Sequence, residues 1–331
     1  MNTLRVGVLG VGHLGGLHTK MLAELSDVHL AGVFDLDHAK AERIAGEYHT
    51  VAFDTIQTLL QHTDAVTIAT PTSTHFGVAR EVLLAGKHCF IEKPVTQTVE
   101  EADALCSMAR ERGLVLQVGH IERFNPAILA LESYEIKPVF IESHRLAQFN
   151  PRGTDVAVVL DLMIHDIDLI LSFVRSPVRN VEANGVAVVS DTVDIANARL
   201  QFENGCVANV TASRISQRRM RKMRLFQPNT YISIDFSEGM AEVFRLAGEG
   251  ETDQKGTLML GELGSGVRKK RILYEQPEVK EVNALKYELG LFVEAVRTGG
   301  SPLVSGEDGR RALEVANIIM QKISQQVLPL S

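Results

Sequence analysis

The stretch Gly10-Val11-Gly12-His13-Leu14-Gly15 follows a short apolar run at 4–9 and opens a segment, 14–25, with helical spacing of its apolar residues. Asp35 stands twenty residues after Gly15, at the end of a second strand-like run, 28–34. Glycines alone punctuate ordinary turns. Between a buried strand and a helix they also permit a tight turn and close approach of the backbone to a pyrophosphate at the positive end of the helix. An acid at the Asp35 position accepts hydrogen bonds from both ribose hydroxyls and repels a 2′-phosphate. Gly10, Gly12, His13, Leu14, Gly15 and Asp35 are therefore candidate contacts of a dinucleotide, with NAD expected over NADP. The bland alternative is a turn followed by a strand-end acid.

Working outward, strands are expected at 65–69, 89–91 and 115–118, and helices at 39–47, 76–84 and 99–110. Strand–helix alternation of this kind means βαβ units, a doubly wound parallel sheet and right-handed crossovers. The pattern changes after about residue 120. A strand at 140–149 and a long apolar helix at 156–173 come first, and from Val178 strands follow one another directly. Phe202-Glu203-Asn204-Gly205-Cys206 places Asn-Gly between two strand-like runs, a strong hairpin signal. Residues 249–270 read as a loop, and helices near 284–297 and 307–325 close the chain. The expected fold class is α/β, with a parallel dinucleotide-binding domain over 1–120 and a domain with a large open, mostly antiparallel sheet over 121–331. The last helices are free to pack back on the first domain. The open sheet needs cover from a helix or from another subunit, so a homodimer or homotetramer is expected.

Two further loops fall at strand ends, where ligands of an open parallel sheet sit. Thr70-Pro71-Thr72-Ser73-Thr74-His75 follows the strand expected at 65–69. Thr70, Pro71, Thr72 and His75 are candidate cofactor contacts, and Ser73 or Thr74 is a candidate helix cap. Glu92-Lys93-Pro94 ends the next strand. A lysine there can donate to a substrate oxygen and stabilise developing negative charge; a surface lysine is the alternative. In the apolar helix, Asp161 and His165 are four apart and His165 and Asp168 three apart, so all three can share one face. Ionisable groups on such a helix are costly unless paired or used. No further His/Cys/Glu cluster completes a set of metal ligands, so no metal is expected.

Composition narrows the class. The 331 residues are 45% hydrophobic and carry a net charge of −7, so bulk attraction to nucleic acid or an anionic membrane is not expected. No apolar stretch reaches spanning length. The apolar run 6–11 after Arg5 is too short for a signal peptide. Cys89, Cys106 and Cys206 form an odd set without CxxC spacing, which fits a reducing compartment and a cytoplasmic location. Arg218-Arg219-Met220-Arg221-Lys222-Met223-Arg224 is a basic run in an acidic chain. It reads as a charged strand or subunit contact, or in part as a seat for a diphosphate.

Taken in order, GxGxxG, Thr70–His75, Glu92-Lys93-Pro94, the Asp161–Asp168 helix and Gly306-Glu307-Asp308-Gly309 resemble the glucose–fructose oxidoreductase / inositol dehydrogenase (Gfo/Idh/MocA) family over the whole length. The resemblance implies a Rossmann domain, NAD, and Lys93, Asp161 and His165 around the reacting carbon, with Glu92 and Lys93 beside the cofactor. One departure is Arg152-Gly153-Thr154-Asp155-Val156-Ala157-Val158-Val159, where many members carry a glycine run. With Gly119-His120-Ile121-Glu122-Arg123-Phe124-Asn125-Pro126, it is similar to members that oxidise C3 of UDP-N-acetylglucosamine-type sugars. His120, Arg123 and Asn125 are then candidate substrate contacts, with a salt bridge the alternative for Arg123. A free sugar or cyclitol is the alternative substrate. A non-catalytic NAD-sensing regulator on the same fold is the alternative of another class.

Overall fold

The computed structural model describes residues 3–150, 156–248, 257–263 and 270–326. The chain divides into two compact units. One runs to Phe124 and takes in Asn283–Glu314; the other holds Asn125–Val282 and continues from Val315.

The first unit opens β1 (Leu4–Leu9), α1 (His13–Ala23), β2 (Val28–Phe34) and α2 (His38–Glu47). A short helix, α3 (Ile56–Gln61), comes next, capped by the Thr55 hydroxyl on the Thr58 N–H. Its six residues are too few for periodicity to show, and it was not expected from the sequence. Then follow β3 (Ala65–Ile68), α4 (Thr72–Leu84), β4 (His88–Glu92), α5 (Val99–Arg112) and β5 (Leu116–Gly119). All five strands pair in parallel, in the order β2-β1-β3-β4-β5. The strand order changes direction between β1 and β3, and such switch points are where open parallel sheets bind ligands. The strands read apolar throughout because helices cover both faces. α5 has a full capping box: Thr98 accepts from the Glu101 N–H, and Glu101 accepts from the Thr98 N–H.

The second unit begins with α6 (Pro126–Leu129) and β6 (Phe140–Leu146). The expected strand 140–149 thus ends three residues early. The expected single helix 156–173 is a π-helical turn over Val159–Met163 running into α7 (Ile164–Val174). The strands are β7 (Val178–Val186), β8 (Ile195–Phe202), β9 (Val207–Ser213), β10 (Met220–Gln227), β11 (Thr230–Asp235), β12 (Met240–Leu246), β13 (Thr257–Leu263) and β14 (Lys270–Glu275). They form one nine-stranded sheet, order β13-β14-β12-β11-β10-β6-β9-β8-β7, antiparallel except for the β6–β9 pair. β8 and β9 form the Asn-Gly hairpin, with Gly205 at φ 86°. The expected loop at 249–270 is corrected by β13, which the Gly-rich and charged residues around it hide in the sequence. Residues 249–256 and 264–269 of that reading, like 152–155 of the run before the helix, lie outside the described residues.

Strand residues alternate between a buried face, on which α7 packs, and a half-exposed face. The half-exposed face carries a cross-strand ladder of Phe140, Phe226, Tyr231, Phe244 and Tyr274, with successive ring centroids 5.0–5.5 Å apart. Two last helices complete the chain, α8 (Ala284–Thr298) and α9 (Gly306–Gln326). In the first unit, α8 places Leu289, Phe292 and Val293 in the core with Phe90 and Leu22. The opening of α9 lies so close to β5 that a Cβ on Gly309 would stand 2.6 Å from Val118.

Candidate functional site

In the first unit, the backbone turns at Gly10 with φ 83°, a conformation glycine adopts without strain. Gly15 packs against that turn; a Cβ there would stand 1.8 Å from the Gly10 carbonyl oxygen. A Cβ on Gly12, by contrast, meets nothing within 4 Å. Gly12 is also the N-cap of α1 and uses no side chain to cap it. Two glycines thus shape the turn, and the third leaves open approach to the unpaired N–H groups of the helix start, as a pyrophosphate needs. His13 and Leu14 are the first residues of that helix, and Leu14 is exposed.

Asp35 follows β2 and braces the same loop. Its Oδ2 accepts from the Val11 N–H at 2.8 Å and its Oδ1 from the Asp37 N–H at 2.9 Å. Each carboxylate oxygen keeps acceptor capacity for ribose hydroxyls. The loop after β3 flanks the other side of the switch point. Ser73 and Thr74, the candidate caps, both lie inside the first turn of α4, which starts at Thr72 behind Pro71, so neither caps it; Thr74 instead bonds back to the preceding loop. The Thr74 hydroxyl donates toward Thr70 Oγ1 and the Pro71 carbonyl, both at 2.8 Å. The helix begins four residues earlier than its apolar periodicity suggests because Pro71 fixes the preceding turn.

His75 is buried. Its Nδ1 lies 2.9 Å from the Pro94 carbonyl and its Nε2 2.9 Å from the Thr70 carbonyl. The ring therefore ties the Thr70 loop to the Glu92-Lys93-Pro94 segment. The Lys93–Pro94 peptide is cis. Glu92 receives two contacts: His18 Nε2 at 2.9 Å on Oε1, and the Lys93 N–H at 3.3 Å on Oε2. Burial opposes ionisation of Glu92, but the bond from His18 and the nearby charge of Lys93 outweigh it and hold the carboxyl below its usual range. A Cβ on Gly119 would press on that carboxylate at 3.0 Å. His18 was missed in the sequence; its signal is a histidine on the buried side of a helix that has just left the glycine turn.

His120 is buried, and its backbone carbonyl accepts from the Arg123 N–H at 3.1 Å. Arg123 makes a salt bridge with Asp308 at 3.6 Å, the alternative weighed for it. Burial works against the Asp308 charge, but Arg123 and hydrogen bonds from Ser305 prevail and keep the carboxyl below its usual range.

In the second unit, Asn125 caps α6. Its Oδ1 accepts from the Ala127 N–H at 3.1 Å and its Nδ2 donates to the Phe236 carbonyl at 3.3 Å. Both ends of the amide thus have local partners. Asp161 lies in the π turn and His165 in the first turn of α7, both partly exposed. Widened turns of this kind recur at functional sites. Asp168, expected on the same face, is buried instead. Asp166, which the sequence left without a role, anchors the helix to β6: it accepts from Arg145 Nε at 2.7 Å and from Ser143 Oγ at 3.0 Å. No cluster of three metal-ligating residues occurs among the described residues, and no helix there is long and apolar enough to cross a membrane.

Known proteins resemble this chain in sequence and fold. Residues 4–120 match the family described as "Oxidoreductase family, NAD-binding Rossmann fold", and residues 140–242 match the "GFO/IDH/MocA C-terminal domain". The chain is 41% identical over 314 residues to UDP-N-acetylglucosamine 3-dehydrogenase of Acidithiobacillus ferrooxidans, covering 95% of each. It is 28% identical over 331 residues to scyllo-inositol 2-dehydrogenase (NAD(+)) of Bacillus subtilis, covering 94% of this chain and 92% of that one. The solved structure of the Acidithiobacillus enzyme GnnA superposes with a TM-score of 0.87 at 39% identity, over 98% of this chain and 99% of that one. Apo scyllo-inositol dehydrogenase from Lactobacillus casei, at 20% identity and TM-score 0.77 over 98% and 97%, shares the fold. The chain belongs to the Gfo/Idh/MocA family of NAD-binding oxidoreductases.

Proposed function

We propose that this protein oxidises C3 of a UDP-N-acetylglucosamine-type sugar to the 3-keto sugar, with NAD reduced. The observation that carries the reading is the 41% identity, over 95% of both chains, to an enzyme named for that reaction. The first unit fits the cofactor: open approach at Gly12, a helix start behind it, and Asp35 beside the turn. NAD, when bound, accepts the hydride that leaves the sugar carbon. Gly10, Gly12, His13, Leu14 and Gly15 border its pyrophosphate, Asp35 holds its adenine-side ribose, and Thr70, Pro71 and Thr72 border the switch point.

His165 takes the proton of the reacting hydroxyl as general base. Lys93 donates to that oxygen and stabilises the negative charge it gains. Asp161 orients a neighbouring hydroxyl or His165 itself. His18, Glu92 and His75 hold the Lys93 segment from behind. His120 and Arg123 support the end of β5, and Arg123 acts there through Asp308. We also infer a homodimer or homotetramer joined through the nine-stranded sheet, supported by its half-exposed aromatic ladder. Sedimentation of a monomer at working concentration contradicts this assembly.

The test mixes the protein, NAD and UDP-N-acetylglucosamine and follows NADH absorbance, with an aminotransferase present to remove the ketone. Turnover is expected. Turnover of free glucose or inositol, with none of any UDP-sugar, overturns the substrate while leaving a dehydrogenase. No turnover with any alcohol, and no change on replacing Lys93, Asp161 and His165 together, favours a regulator.

A further inference from the structure

The basic run at 218–224 is divided by the fold. Lys222 pairs with Asp235 at 3.0 Å and Arg224 with Glu142 at 3.6 Å, so both are matched by carboxylates on neighbouring strands. Arg221 is partly buried, and its guanidinium is pushed below its usual range by burial. Arg219 differs. It sits in the turn before β10, exposed, and its side chain lines a cavity of about 470 Å³ with Gln148, Phe149, Asn150, Asp161 and Arg214.

The walls of this cavity are built by the one parallel pair in the sheet. Past the ends of β6 and β9 the two segments stay bonded: Ala147 N–H donates to Ser213 O at 2.7 Å, and Ser216 N–H to Ala147 O at 3.0 Å. Gln148 Nε2 then reaches the Gln217 carbonyl at 3.0 Å. Arg214 is fixed from behind. It donates to the Val156 carbonyl and lies 3.8 Å from Asp194. Asp194 is itself held by the N–H groups of Val188 and Val189 at 2.7 Å and of Ser190 at 3.0 Å. Asp194 cancels the net charge of Arg214, which leaves Arg214 as a rigid wall and donor, while the attraction for an anion falls on Arg219. Phe149, 51% exposed, offers an aromatic face beside them.

We propose that this cavity holds the nucleoside diphosphate portion of the substrate, with Arg219 on the phosphates and Phe149 against the base. The proposal rests on the nucleotide-sugar reading above. Asp161 and Arg219 share one cavity but suit opposite halves of such a molecule. A carboxylate repels phosphate and accepts from sugar hydroxyls, whereas a guanidinium forms paired charge-assisted bonds to phosphate oxygens. An aromatic face accepts the flat base by stacking. In a chain of net charge −7, a local cation is needed to gather a dianion. A free sugar or cyclitol carries no phosphate for Arg219 to bind.

The test compares the native protein with Arg219→Gln, Arg219→Lys and Phe149→Leu, using UDP-N-acetylglucosamine turnover and calorimetric binding of UDP alone in the presence of NAD. Both positions are exposed, and melting temperatures check that the variants fold. UDP is expected to bind the native protein and to compete with the sugar nucleotide. Arg219→Gln raises KM and weakens UDP by about 10–100-fold with kcat within about two-fold, the scale of a lost hydrogen bond to a charged group. Arg219→Lys recovers part of the loss, and Phe149→Leu weakens both by about ten-fold. Unchanged KM and UDP affinity in Arg219→Gln and Phe149→Leu overturn the proposal while the substrate reading stands. UDP binding that depends on Arg219, in a protein that turns over no UDP-sugar, supports the cavity and removes the substrate reading. No UDP binding to the native protein overturns the cavity.

Discussion

Asp35 braces the glycine turn through Val11, and we propose that it also holds the adenine-side ribose of the dinucleotide. Titration of both cofactors is expected to show tighter NAD(H) than NADP(H) binding. Asp35→Ala should narrow that preference by about ten-fold or more, a difference of roughly 1.4 kcal/mol. It should also weaken NAD, because the Val11 N–H loses its acceptor. Equal or tighter NADP(H) binding by the native protein contradicts the assignment. For the chemistry, His165→Ala should lower kcat by about 10²–10⁴-fold with NAD affinity nearly intact, the range for a lost general base; near-native turnover removes His165 from that role. The residues legible in the sequence were those set by local spacing: the glycines, Asp35, and the Glu92-Lys93 strand end. Those that stayed hidden are paired across long separations. His18 meets Glu92 from 74 residues away, and Arg123 finds Asp308 only once α9 has returned to the sheet. Periodicity carries no information about such partners.

At the scale of the element, the turn between β1 and α1 gives a paired expectation. Gly15→Ala puts a methyl 1.8 Å from the Gly10 carbonyl, so the backbone must move. Melting temperature and NAD affinity should fall together. Gly12→Ala meets no protein atom within 4 Å, so its melting temperature without cofactor should match the native protein while NAD binding is lost. Gly12→Ala that still binds NAD normally contradicts the approach proposed for the pyrophosphate. The strands and long helices could be read because hydrophobic period and length agreed. α3 could not, being six residues held by a Thr55 cap. The π turn at Val159–Met163 could not either, since the sequence shows apolar residues at helical spacing and nothing that demands a widened turn. The early start of α4 rests on Pro71, whose fixed φ serves a turn and a helix start equally well.

At the scale of the molecule, paired and hydrogen-bonded carboxylates set the acid limit. Glu92, Asp194 and Asp308 all titrate below their ordinary values of 4.5, 3.8 and 3.8. A carboxyl with a depressed folded pKa stabilises the fold above its unfolded pKa, and loses that contribution as pH falls toward the folded one. The melting temperature should therefore hold from neutral pH down to about 5 and drop below about 4, the unfolded carboxylate range. Asp194→Asn should lower it at neutral pH and flatten the acid limb; a melting temperature that rises on acidification contradicts this. The two-unit α/β architecture was visible in the switch from alternating strands and helices to consecutive strands. The return of 283–314 to the first unit was visible only as an open possibility for the last helices, because apolar stripes do not say what covers them. The central claim is hydride transfer from C3 of a UDP-N-acetylamino sugar. Its most direct measurement incubates the protein with NAD and UDP-N-acetylglucosamine deuterated at C3, then weighs the reduced cofactor. The account predicts NADH carrying the deuterium; unlabelled NADH, or none formed at all, contradicts it.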